Sequence, residues 1–205
     1  MPKIAGNLTI SDWGKLVSTL DCSKIENWDN AFKFFGQRIT TRYFNPINKI
    51  LNMDLNTGEG FAVMNLQCSL IETIECFYNG WVYDHPYFKS LDTTPSFRAN
   101  QKIFESFFKN RNPFKSLNID GEDFYLSVRC GLLHETQTKN GWVIKAESDK
   151  IYEMTGDKKI IYRTNFQIGI EEVMLQYKSD LINSIDAERL RANFIGKFNN
   201  ICDKS

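Results

Sequence analysis

Two residue types suited to phosphate chemistry lie five positions apart in the run 128–135 (VRCGLLHE), in which Arg129 precedes His134. An arginine can hold a phosphate and stabilise the charge that builds on it, and a histidine can move a proton near neutral pH. Together they are the smallest set of side chains that could cleave RNA without a metal ion. Since the chain has 2 histidines in all, this pair is the first place to look for an activity.

The spacing of the pair needs a particular local structure. On an ideal helix, five residues leave Arg129 and His134 about 140° apart, so they would not share a face. Gly131 weakens the helix between them, and the polar run 135–141 (ETQTKNG) predicts that His134 lies in a frayed last turn. Cys130 and His134, four residues apart, are the pair that would share a face.

Composition limits the kind of partner. Lys+Arg and Asp+Glu each total 25, so the formal net charge is zero. This argues against a protein that coats nucleic acid non-specifically, because such a protein must neutralise several phosphates. The composition does not exclude a local RNA-binding site. The length of 205 residues and the absence of a repeat or linker predict a single domain over 1–205.

The cysteines do not indicate a metal or redox site. There are 5 of them, an odd number, with no C-x-x-C pair, so buried reduced thiols are expected and no cofactor or metal is. No apolar run has the length of a signal peptide or of a membrane span, and a cytoplasmic protein without a membrane partner is therefore expected.

Apolar residues at three- and four-residue steps predict a mainly α fold, a bundle of helices. The first such pattern begins at Glu26, with Trp28 as its first large apolar residue, and Pro46 should end or kink this helix near Phe44. The other expected helices are 61–78, a helix capped by Ser96, 118–134 capped by Asp120, 168–183 and 187–202. Between them, 80–95 reads as irregular, and strands at 142–146 and 159–165 predict a small β-hairpin near residues 141–165.

Three further features of the sequence each allow two interpretations. The aromatic stripe that includes Trp28 and Phe35 could be core or a platform for stacking bases. His85, in a loop before a proline, could be a surface residue or a catalytic partner. Glu72 and Glu75 could be a polar flank facing solvent, or Glu72 could lie beside Arg129 and orient its guanidinium.

The run from Phe124 to Trp142, with its Arg, four spacers and His, resembles the last-helix signature of HEPN domains, the nucleotide-binding domains of higher eukaryotes and prokaryotes. Many members of that family are metal-independent endoribonucleases that act as dimers, often as toxins or in phage defence. The resemblance implies a HEPN-like helical bundle, RNA as substrate, a homodimer, and an antitoxin or other protein as a possible partner. It assigns catalytic roles to Arg129 and His134 alone. Glu72 and Cys130 are named as supporting residues for a different reason, because Glu72 could orient Arg129 and Cys130 adjoins it in sequence.

One residue departs from the family pattern. The position after the arginine is typically Asn, Asp or His in active ribonucleases, and it is Cys130 here. A thiol is a weak hydrogen-bonding group, so the departure favours a second hypothesis, an inactive HEPN-like module that binds a protein, a nucleotide or RNA. A third hypothesis is purely structural: His134 caps helix carbonyls and packs on Trp142, and Arg129 pairs with Glu72, Glu75 or Glu122.

Overall fold

The computed structural model describes residues 2–53, 58–84, 87–90 and 101–203. The protein is mainly helical, with 66% helix and small sheets, as the apolar periodicity predicts. His85 and Ser96, for which the sequence suggested a loop histidine and a helix cap, lie outside the described residues.

The helices have the following bounds: α1 Ile10–Val17, α2 Trp28–Ile39, α3 Asn45–Leu51, α4 Glu59–Asn79, α5 Gln101–Asn110, α6 Gly121–Phe124, α7 Cys130–Glu135, α8 Arg163–Asn183 and α9 Ala187–Asp203. Two π-helical turns, Thr40–Phe44 and Tyr125–Arg129, join α2 to α3 and α6 to α7. The strands are β1 Lys3–Ala5, β2 Leu8–Thr9, β3 Trp81–Asp84, β4 Tyr87–Ser90, β5 Trp142–Lys145, β6 Tyr152–Thr155 and β7 Lys158–Tyr162.

The described residues form two compact units. The first comprises Met1–Pro46, Ile74–Ala99 and Leu175–Ser205, and the second comprises Ile47–Thr73 and Asn100–Met174. Helices α4 and α8 supply residues to both units. The single domain expected from chain length stays a prediction.

Aromatic side chains fill the core of the first unit. Phe35, Phe77 and Phe194 are fully buried, and the ring centroids of Phe35 and Phe77 are 4.3 Å apart. Trp28 is buried as well, so the stripe on α2 is core and not a platform for bases. Each such side chain contributes about 1.5–3 kcal/mol to folding by leaving water. The second unit is built in the same way from Phe104, Phe107, Phe108, Phe114, Phe124 and Phe166.

Of the two outcomes expected at Pro46, an end or a kink of the helix near Phe44, the end is not observed. The chain continues as α3, whose second residue is Pro46, directly after the π-helical turn Thr40–Phe44. A wider turn relieves the clash between a proline ring and the preceding carbonyls, which is why a proline is accommodated here.

The strands near 141–165 form a three-stranded sheet of order β5-β7-β6. The two predicted strands do pair, but β5 and β7 run parallel, and the hairpin is made by β7 with β6, which the sequence did not indicate. Gly156, with φ of 59°, makes the tight hairpin turn possible. The most buried of the three strands, β7 with Ile160 and Ile161, takes the central position.

Two other expectations are also corrected. Part of the stretch 80–95 is regular, because β3 and β4 pair as an antiparallel ribbon. Glu75 does not face solvent: it is fully buried and accepts a hydrogen bond of 2.8 Å from the Asn79 side chain.

Candidate functional site

The helical stretch that carries Arg129 and His134 runs without interruption from Gly121 to Glu135, through α6, the second π-helical turn and α7. Asp120 caps it as predicted: its carboxylate accepts hydrogen bonds from the backbone N–H groups of Glu122 and Asp123. A carboxylate at this end also favours the helix through the helix dipole.

The π-helical turn Tyr125–Arg129 lies just before α7. Its closing hydrogen bond runs from the Cys130 N–H to the Tyr125 carbonyl. The turn brings Tyr125 under Arg129, with the guanidinium carbon 5.9 Å from the ring centroid. Burial, followed by a hydrogen bond with the Cys130 thiol, raises the pKa of Tyr125 to about 12, so the phenol keeps its proton at neutral pH. Single π-helical turns of this kind occur often at functional sites.

Arg129 forms an ion pair with Glu72 of α4. The Nε of Arg129 donates to Oε1 of Glu72 over 3.0 Å, and the two side chains are 23% and 19% exposed. Burial opposes the charge on the guanidinium, but Glu72 outweighs it, and the pKa of Arg129 lies above its ordinary value. Glu72 therefore lies beside Arg129, as one of the two interpretations of the sequence proposed, and does not belong to a flank that faces solvent.

A cleft of about 400 Å³ opens beside this ion pair. Its lining residues come from α4 and from the segment around α7: Asn65, Cys68, Ser69, Arg129, Leu132 and Leu133. The terminal nitrogens of Arg129 donate no hydrogen bond to any described residue. Burial, followed by the nearby Glu72 charge, raises the pKa of the Cys68 thiol, so this residue is an uncharged part of the wall. The cleft therefore combines one fixed cation with polar and apolar surface.

His134 does not line this cleft. It lies in the last turn of α7, is exposed, and has no hydrogen-bond partner within the described ranges. The expected fraying is absent, because α7 keeps its form to Glu135 and ends at Thr136, whose left-handed backbone donates to the Gly131 carbonyl. The structure thus does not bring Arg129 and His134 together within one chain. The alternative in which His134 caps helix carbonyls is not observed either.

Gly131 has a different role from the one its helix propensity suggests. A Cβ at this position would lie 2.6 Å from the backbone oxygen of Gln137. The glycine therefore lets the chain that follows α7 pack directly against the helix, instead of loosening the helix between Arg129 and His134.

A second polar cluster lies on the same helical stretch, and the sequence did not reveal it. The carboxylate of Asp123 accepts from the Ser127 hydroxyl at 2.8 Å and from the Trp142 indole at 2.9 Å, and it also pairs with Lys159. Asn140 donates to the Ser127 hydroxyl over 2.8 Å. Burial would raise the pKa of Asp123, but the hydrogen bonds from Lys159, Ser127 and Trp142 together bring it below its ordinary value.

The sequence also missed Asn65 and Ser69. The signal was present, because Asn65, Ser69 and Glu72 lie at i, i+4 and i+7 and so follow one face of α4. No group of three or more His, Cys, Asp and Glu side chains in the described part of the chain is arranged to hold a metal ion. In the same part, no helix is both long and apolar enough to cross a membrane.

Comparisons with protein-family models, with curated proteins and with solved structures found no match to this chain.

Proposed function

We propose that this protein is a HEPN-like, metal-independent endoribonuclease in which Arg129 binds the scissile phosphate and His134 transfers a proton. The observation that carries the proposal is the state of Arg129: its Nε donates to Glu72 over 3.0 Å, its terminal nitrogens donate no hydrogen bond to a described residue, and the residue lines a cleft. A guanidinium held in this way keeps its two terminal nitrogens, with four N–H groups, for phosphate oxygens.

The chemistry needs only these two side chains and the RNA. His134 takes the proton of a ribose 2′-hydroxyl, whose oxygen attacks the adjacent phosphorus. Arg129 stabilises the negative charge on the phosphorane oxygens. The bond from phosphorus to the 5′-oxygen then breaks, that oxygen takes the proton that His134 had accepted, and the products are a 2′,3′-cyclic phosphate end, a free 5′-hydroxyl and neutral His134.

The positions of the two residues favour a homodimer as the active form. His134 is exposed and lies outside the cleft that Arg129 lines, and the intact helix between them keeps them on different faces. In a symmetric dimer, the His134 of a second copy could approach the Arg129 cleft of the first copy. We place this activity in a toxin or phage-defence setting, with an antitoxin as a further partner, on the resemblance alone.

Cys130 favours a second candidate function, an inactive HEPN-like module that binds RNA, a nucleotide or a protein. The thiol is half-buried and occupied by its contact with Tyr125. It offers little hydrogen bonding to a reacting phosphate. Glu72 also neutralises part of the Arg129 charge, which suits binding as well as catalysis.

The test is cleavage of structured RNA in EDTA by the wild type and by His134→Ala and Arg129→Gln. Loss of a proton-transfer group or of a charge stabiliser should slow cleavage at least about 100-fold. Because Arg129→Gln removes the cation of a largely buried ion pair, urea denaturation must show that this variant remains folded under the conditions of the cleavage assay.

Glu135→Gln is the matched control, since Glu135 is exposed, adjoins His134, and its carboxylate bonds only Lys139 among the described residues. It should cleave RNA at the wild-type rate. If wild type and His134→Ala cleave RNA equally fast, or if wild type does not cleave RNA, the proposal of a ribonuclease is contradicted. The proposal of an inactive binding module would then remain.

A further inference from the structure

The cleft extends along α4 beyond the arginine. Asn65 and Ser69 line it on one side, and Leu132 and Leu133 line it on the other. From Glu72, which holds Arg129, to Asn65 the helix rises about 10 Å (7 residues at 1.5 Å), a length comparable with one nucleotide. A phosphate bound at Arg129 would therefore leave room in the same cleft for one attached base.

The two α4 side chains have unused hydrogen-bonding groups. One N–H of the Asn65 amide donates to the Phe61 carbonyl over 3.1 Å, which leaves the second N–H and the carbonyl oxygen available. The Ser69 hydroxyl has no partner among the residues that the structure describes. An amide with one free donor and one free acceptor can contact a base edge through two hydrogen bonds, and a bidentate contact of Asn or Gln is the characteristic way in which proteins read adenine.

The opposite wall suits the face of a base. Leu132 is buried and Leu133 is 56% exposed, so the wall is apolar and reaches the surface. Proteins that read RNA sequence take single unstacked bases, cover their faces with flat or apolar side chains and bond their edges. The cleft volume of about 400 Å³ lies within the range of about 300–1,000 Å³ typical of small-ligand sites.

We infer that Asn65 and Ser69 determine the base specificity of the site, and that the cleft takes an unpaired adenine next to the phosphate held by Arg129. This inference rests on the proposed function, because it needs RNA as the ligand. It deepens that proposal by assigning recognition to α4 and phosphate chemistry to the helical stretch that carries Arg129 and His134.

The test uses four single-stranded oligoribonucleotides that differ only in one central base. Cleavage is measured in EDTA, and binding is measured by fluorescence anisotropy, for wild type, Asn65→Ala and Ser69→Ala. The wild type should prefer adenine, and Asn65→Ala should lower that preference by about 5- to 150-fold, the range for one bidentate contact to a base. Ser69→Ala should lower it less, because a hydroxyl makes a single bond.

Ala62→Ser is the control, because Ala62 is exposed on α4 and does not line the cleft. It should keep the wild-type preference, and circular dichroism should show native helix content for every variant. If wild type and Asn65→Ala discriminate equally among the bases in both assays, the inference is overturned. If His134→Ala cuts like wild type while adenine preference still depends on Asn65, the catalytic proposal fails and the base subsite stands.

Discussion

Two polar clusters are built on the same helical stretch, and they differ in how completely their hydrogen bonds are satisfied. Around Asp123, both carboxylate oxygens accept bonds, from Ser127 on one and from Trp142 and Lys159 on the other. Around Arg129, the Nε is bonded to Glu72, the terminal nitrogens donate to no described residue, and the residue lines a cleft. Both oxygens of the Asp123 carboxylate are thus bonded within the protein, whereas most of the donors of Arg129 are not.

This difference indicates a structural role for the Asp123 cluster and a functional role for the Arg129 cluster. The Asp123 cluster joins the helical stretch to β5 and β7, because Trp142 begins β5 and Lys159 lies in β7. A half-buried hydrogen-bond network of this kind holds together the elements that it joins. The Arg129 cluster lies on the same helical stretch, and the terminal nitrogens of Arg129 donate to no described residue. We therefore expect substitutions in the first cluster to change stability and substitutions in the second to change activity.

The largest effect should follow Asp123→Asn. The amide has the shape of the carboxylate but not its charge, so Lys159 loses its counter-charge and two charge-assisted bonds weaken. We expect the free energy of unfolding to fall by about 2 kcal/mol, which multiplies the unfolded fraction about 30-fold. Urea denaturation at neutral pH measures this.

Asp157→Asn serves as the control, because Asp157 is an exposed aspartate in the turn between β6 and β7. It should leave the midpoint of urea denaturation unchanged. A stability of Asp123→Asn equal to that of wild type would remove the distinction between the two clusters.

The pH dependence of the same pair sharpens the comparison. Because the folded-state pKa of Asp123 is lowered from 3.8, its stabilising contribution is complete above that value and is lost as the pH falls through the folded-state pKa. The difference in unfolding free energy between wild type and Asp123→Asn should therefore shrink from neutral pH towards pH 2. The other carboxyl groups titrate in both proteins and cancel in the difference. A difference that stays constant, or grows in acid, would contradict the assignment of this carboxylate.

The sequence predicted the helices better than it predicted either cluster. Helices α4, α8 and α9 follow from apolar residues at helical spacing, and the cap at Asp120 follows from local chemistry. The Asp123 cluster joins residues 19 and 36 positions apart, across a turn and a sheet whose pairing was not predicted. Local periodicity carries no information about such contacts.

The candidate site could be predicted from the sequence only in part. Arg129 and Glu72 were recognised as a possible pair because each residue type has a clear electrostatic preference. The π-helical turn at Tyr125–Arg129 and the continuous helix to Glu135 were not, since a glycine inside a helix predicts weakness unless its close neighbour is known. In this protein that neighbour is the backbone of Gln137, and only the tertiary structure supplies it.

The smallest effect concerns Cys130, the residue that departs from the family pattern. Cys130→Asn restores a side chain that can donate to and accept from a phosphate oxygen. If the thiol limits the reaction, the rate of RNA cleavage should rise about fivefold, the value of one added hydrogen bond of about 1 kcal/mol. Cys130→Ala should leave the rate near that of wild type, since a thiol contributes little hydrogen bonding.

Cys202→Asn is the matched control, because Cys202 is also a half-buried thiol but lies in α9 of the first unit. It should not change the rate. If Cys130→Asn cleaves RNA faster than wild type and is equally stable, the missing hydrogen bond at position 130, in the Arg129 cluster, limits the rate of cleavage. A loss of activity in both Cys130 variants would instead mean that the contact between the thiol and Tyr125 supports Arg129, and the second cluster would then share the structural task of the first.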